Sequence, residues 1–396
     1  MNKCIWPLVL VLLVVQACSQ SPWLSGTIKN TQNSEWQPKV YLIRPNSYKE
    51  MGQSFVGEVL DSTNINSDGT FEFSGTPKLN ELTFLQVAVQ KLGDRYPNRL
   101  LNENPQTDNY FPLLVDPDVP LVINASIDRF QASFSIQDPS LVNKEILDLR
   151  NMRLAAYEKF KQSNAMKTAS DEQLLDRERA LLDYQLEILD YTDTLQEPIP
   201  ALVAIKWACP EGDFERLPEA LFKQAQKWSS IAPDDPWVQE LVVTADKSQL
   251  PMMLGDTIPN LILPTQTEDN ISLHDFLTDK KLVVLDVWAS WCAPCRVENR
   301  NILVPLWDTY HSKGFGILAY GLESNKTAWE KAIKKDGAFR WTHTSHLQGD
   351  QNPLMDALRL RTIPANFILD EKGKILAKNL HGAELEVFVD KYMGSH

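Results

Sequence analysis

The chain of 396 residues is poor in several things at once. Five cysteines are too few to staple a protein of this length as a disulfide scaffold. Positive charge is short: 39 Lys and Arg face 52 Asp and Glu, and a net charge of -13 repels a phosphate backbone, which argues against nucleic acid as a partner. Sixteen Gly and 24 Pro, with 43% hydrophobic and 23% charged residues, fit neither a collagenous, a disordered nor a polytopic membrane chain. There is no internal repeat and no cofactor-binding motif. At ~150 residues per domain the length implies two or three domains.

What is present begins at the N-terminus. Lys3 precedes an apolar stretch from Ile5 to Val15, too short for a permanent spanning helix. It ends in Val15-Gln16-Ala17-Cys18, and a small residue before Cys after an apolar run resembles the bacterial lipobox. That resemblance implies cleavage after residue 17, acylation of Cys18 and a membrane held through a lipid anchor. The plainer alternative is an ordinary cleaved signal with Cys18 incidental.

Three compositional zones follow, at 18–135, 136–250 and 251–396. The first has short runs rich in β-branched and aromatic residues, at 40–43, 83–89 and 121–123. Asp68-Gly69 separates Asn64-Ile65-Asn66 from Phe71-Glu72-Phe73, a hairpin signal, and the zone is expected to be an antiparallel β-sandwich. The second zone has helical periodicity. Ser170-Asp171-Glu172-Gln173 is a capping box opening a helix to about Asp193, with Leu174, Leu175, Leu181, Leu182, Leu186 and Leu189 as its apolar stripe. Further helices are expected over 141–160, 199–208, 217–229 and 237–245. Over 136–251 there are 13 Lys and Arg against 21 Asp and Glu. That excess reads as the solvated side of a helical bundle, or alternatively as a docking face.

The third zone alternates. A continuous apolar run at 282–289 reads as a strand covered on both faces, followed by a helix over 294–310, a strand over 315–320, a helix over 327–335 and a strand over 367–369. Where the buried strand gives way to the helix stands Trp291-Cys292-Ala293-Pro294-Cys295. A thiol at a helix N-terminus faces unpaired N–H groups and the positive end of the macrodipole, which lowers its pKa. Cys292 is the expected exposed nucleophile and Cys295, one turn in, the resolving thiol for thiol–disulfide exchange. Pro294 stiffens the first turn, where its missing N–H costs nothing. Asp286, alone among apolar neighbours six residues upstream, is costly to bury unless it has work or a partner. It is the candidate proton acceptor for Cys295, the alternative being a purely structural hydrogen bond.

Residues 283–295, Thr362-Ile363-Pro364 and Asp370-Glu371-Lys372-Gly373 together resemble the thioredoxin fold, in its envelope-anchored TlpA/ResA-like branch. Residues 259–261, Ser272-Leu273-His274-Asp275-Phe276, and Arg296 with Glu298 also fit that pattern. Asp286 is similar to general thioredoxins, many of the envelope branch having Asn there, and Arg300 replaces a proline often found at its position. The resemblance implies a mixed central sheet, with Pro364 in cis facing the two cysteines. Trp291, Ala293, Pro294, Ile363 and Pro364 would then shape the active site. It implies a redox-active Cys292–Cys295 disulfide that needs neither cofactor nor metal, disulfide-bearing envelope proteins as substrates, an upstream thiol electron donor and a periplasm-facing location. The first zone is similar to an uncharacterised β domain that precedes such domains in bacterial envelope lipoproteins. Ile363 and Asp286 favour the reducing direction.

Competing readings are weaker on the residues. Haem attachment needs His where Arg296 stands. A zinc site joining Cys292 and Cys295 to His343 and His346 has a long gap. A peroxidase would need a hydroxyl residue at Ala289. Cys209 has no neighbouring cysteine and reads as a core thiol. A binding or scaffold lipoprotein with secondary redox activity is the alternative of a different class.

Overall fold

A computed structural model gives the fold. It describes residues 22–395 except 33–34, 53–56, 75–78, 80, 98–102, 164–173, 211, 268 and 350. The signal segment, Cys4, Cys18 and the capping box at 170–173 lie outside the described residues.

Eight short strands form two four-stranded sheets. They are β1 (Leu24–Lys29), β2 (Trp36–Arg44), β3 (Glu58–Asn64), β4 (Thr70–Phe73), β5 (Thr83–Lys91), β6 (Tyr110–Val115), β7 (Leu121–Ser126) and β8 (Ser135–Ile136). One sheet runs β3-β2-β5-β6 and is antiparallel throughout. The other runs β4-β1-β7-β8. Alternation points one face inward: Phe71 and Phe73 of β4, and Leu121, Ile123 and Ala125 of β7, are buried.

Two expectations change. The second sheet is not wholly antiparallel, because β1 and β7 pair in parallel. The long excursion between them through the other sheet frees them from the reversal that a tight turn imposes. The Asp68-Gly69 turn forms, with Gly69 N–H donating to Asn66 O (2.9 Å), yet it closes no hairpin. It passes the chain from β3 in one sheet to β4 in the other, because β3 pairs with β2 and β4 with β1. Gly69 takes φ +86°, and a Cβ there would lie 2.5 Å from Ile28 O.

Helices α1 (Phe130–Ser133), α2 (Leu141–Gln162), α3 (Leu174–Tyr191), α4 (Pro198–Ala208), α5 (Pro218–Ile231) and α6 (Pro236–Thr244) follow. Ser140 caps α2 and Asp235 caps α6, and α4, α5 and α6 each begin on a proline whose missing N–H is harmless there. One apolar cluster runs from Trp23 to Leu250, so the sheets and these helices share a core. Within it the buried Arg153 of α2 bonds Glu103 (2.7 Å), whose other oxygen accepts from the Tyr110 hydroxyl of β6 (2.7 Å), and Trp207 of α4 donates to that hydroxyl (2.9 Å). Pairing of this kind is what makes a buried charge tolerable.

Beyond residue 250 the chain forms a second unit with its own apolar cluster, from Ile258 to Met393. A hairpin of β9 (Ile262–Pro264) and β10 (Asn270–Ser272) leads through α7 (Leu273–Leu277) into β11 (Leu282–Trp288). Then come α8 (Ala293–Glu298), a π-helical turn (Asn299–Leu303), α9 (Val304–Tyr310), β12 (Phe315–Gly321), α10 (Lys326–Asp336), β13 (Thr342–Thr344), α11 (Pro353–Leu358), β14 (Ala365–Asp370), β15 (Ile375–Lys378) and α12 (Ala383–Ser395). The sheet order is β13-β12-β11-β14-β15. β11 is central, parallel to β12 and antiparallel to β14, and every one of its residues is buried. The helix expected over 294–310 is therefore interrupted, with the π turn spanning Arg300. The fold is the expected one: a thioredoxin-like domain on a mixed sheet, preceded by paired β-sheets and a helical region.

Candidate active site

The site is built where β11 ends. Trp288 closes the strand, the chain turns through Ala289, Ser290 and Trp291, and α8 begins. Both backbone groups of Ser290 are held. The buried Glu323 carboxylate accepts from Ser290 N–H and from its hydroxyl (3.0 Å), and Arg296 Nη1 donates to Ser290 O (3.0 Å). Arg296 is fixed in turn by a two-point ion pair with the buried Asp336 of α10. This scaffold sets where the cysteines start.

Cys292 is the N-cap of α8, and its Sγ accepts from Cys295 N–H (3.3 Å). Cys292 and Cys295 are joined by a disulfide, with Cα atoms 5.3 Å apart. Cys292 is not the exposed residue expected. It is 5% exposed and Cys295 2%, while the neighbouring Trp291 is 65% exposed. In the oxidised state the Cys292 sulfur is bonded inward to a buried partner, so Trp291 and Ala293 present the surface. Pro294, between the two cysteines, is buried in the first turn.

The Ile363–Pro364 peptide is cis, in the segment that leads into β14. Asp286 lies at the middle of β11, opposite Asn366 of β14 and Ala319 of β12. It is 5% exposed, and burial, reinforced by the negative charge of Glu298, pushes its carboxyl up to about 8. Glu298 is itself buried on α8 and accepts from Gly382 N–H (3.2 Å).

His343 and His346 are bonded within the fold. The His343 ring bonds Ala338 O (2.8 Å) between Trp329 and Trp341, and the His346 ring bonds the Tyr320 hydroxyl. Cys209 is a free thiol, buried, and burial pushes it up to about 12.

The helical region reaches this site, a feature with no local signal in the sequence. Glu215 Oε1 accepts from Thr362 N–H (3.2 Å) and from its hydroxyl (3.0 Å), and Arg216 Nη2 donates to Pro364 O (3.0 Å). Between that region and the cis-proline segment lies a cavity of about 780 Å³, with Pro294, Ile363 and Pro364 on one side and α3 on the other.

Comparison with known proteins is consistent with this geometry. The family model described as Redoxin matches residues 253–391. The thioredoxin-like protein YneN of Bacillus subtilis is 31% identical over 137 residues, which is 34% of this chain and 76% of that protein. The chain belongs to the thioredoxin superfamily, in its TlpA/ResA-like branch. The thiol-disulfide oxidoreductase ResA of Bacillus subtilis is 27% identical over 139 residues, 35% of this chain and 73% of that protein. A solved thiol-disulfide oxidoreductase from Bacteroides fragilis is 29% identical, covering 34% of this chain and 98% of that chain, with a TM-score of 0.32. This TlpA/ResA-like protein is a thiol–disulfide oxidoreductase whose catalytic domain occupies the last third of the chain, with the Cys292–Cys295 pair at the family's CxxC spacing.

Proposed function

We propose that the protein reduces disulfides of client proteins outside the cytoplasm, tethered to a membrane through lipid on Cys18. The observation that carries the redox half is the disulfide at the start of α8, in a domain whose central strand buries a carboxyl pushed up to about 8. In its dithiol form, Cys292 thiolate attacks one sulfur of the client disulfide. A Cys292–client S–S bond forms, the client S–S bond breaks, and the leaving client thiolate takes a proton. Cys295 then gives up its proton to Asp286 and attacks Cys292 Sγ. The second client sulfur leaves as a thiolate and takes the proton that Asp286 holds, so the client has gained two electrons and two protons while Cys292–Cys295 becomes the disulfide. With its carboxyl pushed up to about 8, Asp286 is mostly protonated at neutral pH, so the ionised fraction that takes the Cys295 proton grows as the pH rises toward 8. An upstream dithiol donor then restores the two thiols by the same exchange run in reverse.

The test is insulin reduction with dithiothreitol as donor. Wild type is expected to accelerate it and Cys292→Ser to abolish the acceleration; equal rates for the two would overturn the assignment. Direction is read from the reduction potential, expected nearer the ~-270 mV of thioredoxin than the ~-120 mV of DsbA.

A further inference from the structure

We propose that α3 and the Glu215–Arg216 pair form the far wall of the client site, and that the cleft takes an extended, apolar peptide segment flanking the client's disulfide. This rests on the thiol–disulfide reading above and adds to it the class of substrate.

The leucine stripe of α3 is the first observation. Only Tyr184, Ile188 and Leu189 of that helix are buried, all in its second half. Leu174 is 46% exposed and Leu181 43%, and Leu175 and Leu182 are half-buried. All four line the cavity whose opposite side is Pro294, Ile363 and Pro364. An apolar edge left open to water beside a reactive site is the mark of a surface that something covers. The cleft reaches Pro294, between the two cysteines, so a client whose disulfide reaches Cys292 must send its flanking chain past this wall or away from it.

The second observation says what covers it. Glu215 and Arg216 also line the cleft. Glu215 is 6% exposed, and one of its oxygens is taken by Thr362. Its Oε2 has no hydrogen-bond partner among the described residues. Arg216 uses Nη2 on Pro364 O and Nε on Glu178 (2.7 Å), and its Nη1 likewise has no partner among the described residues. One buried acceptor and one buried donor are thus unfilled in a mostly apolar cleft. Such groups are costly unless bonded. A peptide backbone supplies one amide N–H and one carbonyl, and apolar side chains for the leucines. An acyl chain supplies neither polar group.

Leu174→Asp and Leu181→Asp change exposed positions and should leave the fold intact, which a thermal melt checks. Three substrates are compared: a synthetic peptide with an intramolecular disulfide flanked by Leu and Phe, its counterpart flanked by Ser and Asp, and oxidised glutathione. Wild type is expected to prefer the Leu/Phe peptide. Each variant is expected to lose about tenfold in kcat/KM for that peptide, mainly through KM, with glutathione disulfide unaffected. Unchanged kinetics on the Leu/Phe peptide, or an equal loss on all three, would overturn the proposal. A dimer in sedimentation that the variants abolish, with peptide kinetics unchanged, would assign the leucines to a second copy and overturn it equally. A wild type that reduces none of the three would instead sink the thiol–disulfide reading beneath it.

Discussion

Asp286 shows how one buried side chain ties the fold to pH. Folded, it holds its proton up to about pH 8, whereas an unfolded Asp loses it near pH 4. Its contribution to stability is therefore full below about pH 4 and is lost as the pH rises to about 8. The limiting slope for one such group is about 1.4 kcal/mol per pH unit. Asp286→Asn removes that slope. Urea midpoints of the oxidised proteins should diverge between about pH 4 and pH 8, wild type losing ground to the variant, and run parallel above that; parallel profiles throughout would place the titration elsewhere. Asp286 and the cysteines could be read from the sequence because their signal is local: one carboxylate in an apolar run, two thiols at a strand-to-helix junction. Glu215 and Arg216 could not, since what they hold lies 147 and 148 residues further along the chain.

At the scale of elements, local patterning found most strands and helices but not their partners. The Asp68-Gly69 turn is written in the sequence, yet turn chemistry does not say which sheet receives the next strand. Nor does it foresee the parallel pairing of β1 with β7, which depends on the whole path between them. That pairing brings the backbones close at Gly26, where a Cβ would lie 1.7 Å from Ile123 O. Gly26→Ala should destabilise the N-terminal unit by roughly 1–3 kcal/mol, as overpacking does. A shift in the denaturant midpoint with unchanged thiol chemistry would bear this out, and an unshifted midpoint would mean that β1 yields freely. The same limit explains α3. Its leucine spacing announces an apolar face, but not that half of the face borders the active-site cleft rather than the core.

At the scale of the molecule, two apolar clusters meet across a polar seam. The cluster from Ile258 to Met393 contains no residue from the first 250. Polar contacts cross the boundary: Glu215 and Arg216 at the cis-proline segment, Lys378 with Glu219 (2.8 Å), and Arg179 with Glu384 (3.0 Å). Residues 252–396 alone should therefore fold with a cooperative thermal transition and reduce glutathione disulfide; a chain that melts without cooperativity would show that the seam is part of the domain's core. The central claim is that exchange runs through Cys292 first and Cys295 second. It is tested most directly by intact-mass and peptide mapping of Cys295→Ser after mixing its reduced form with a disulfide-bearing peptide. The expected product is one peptide linked through Cys292, stable because no resolving thiol remains. No adduct, or an adduct carried by Cys209, would contradict the account.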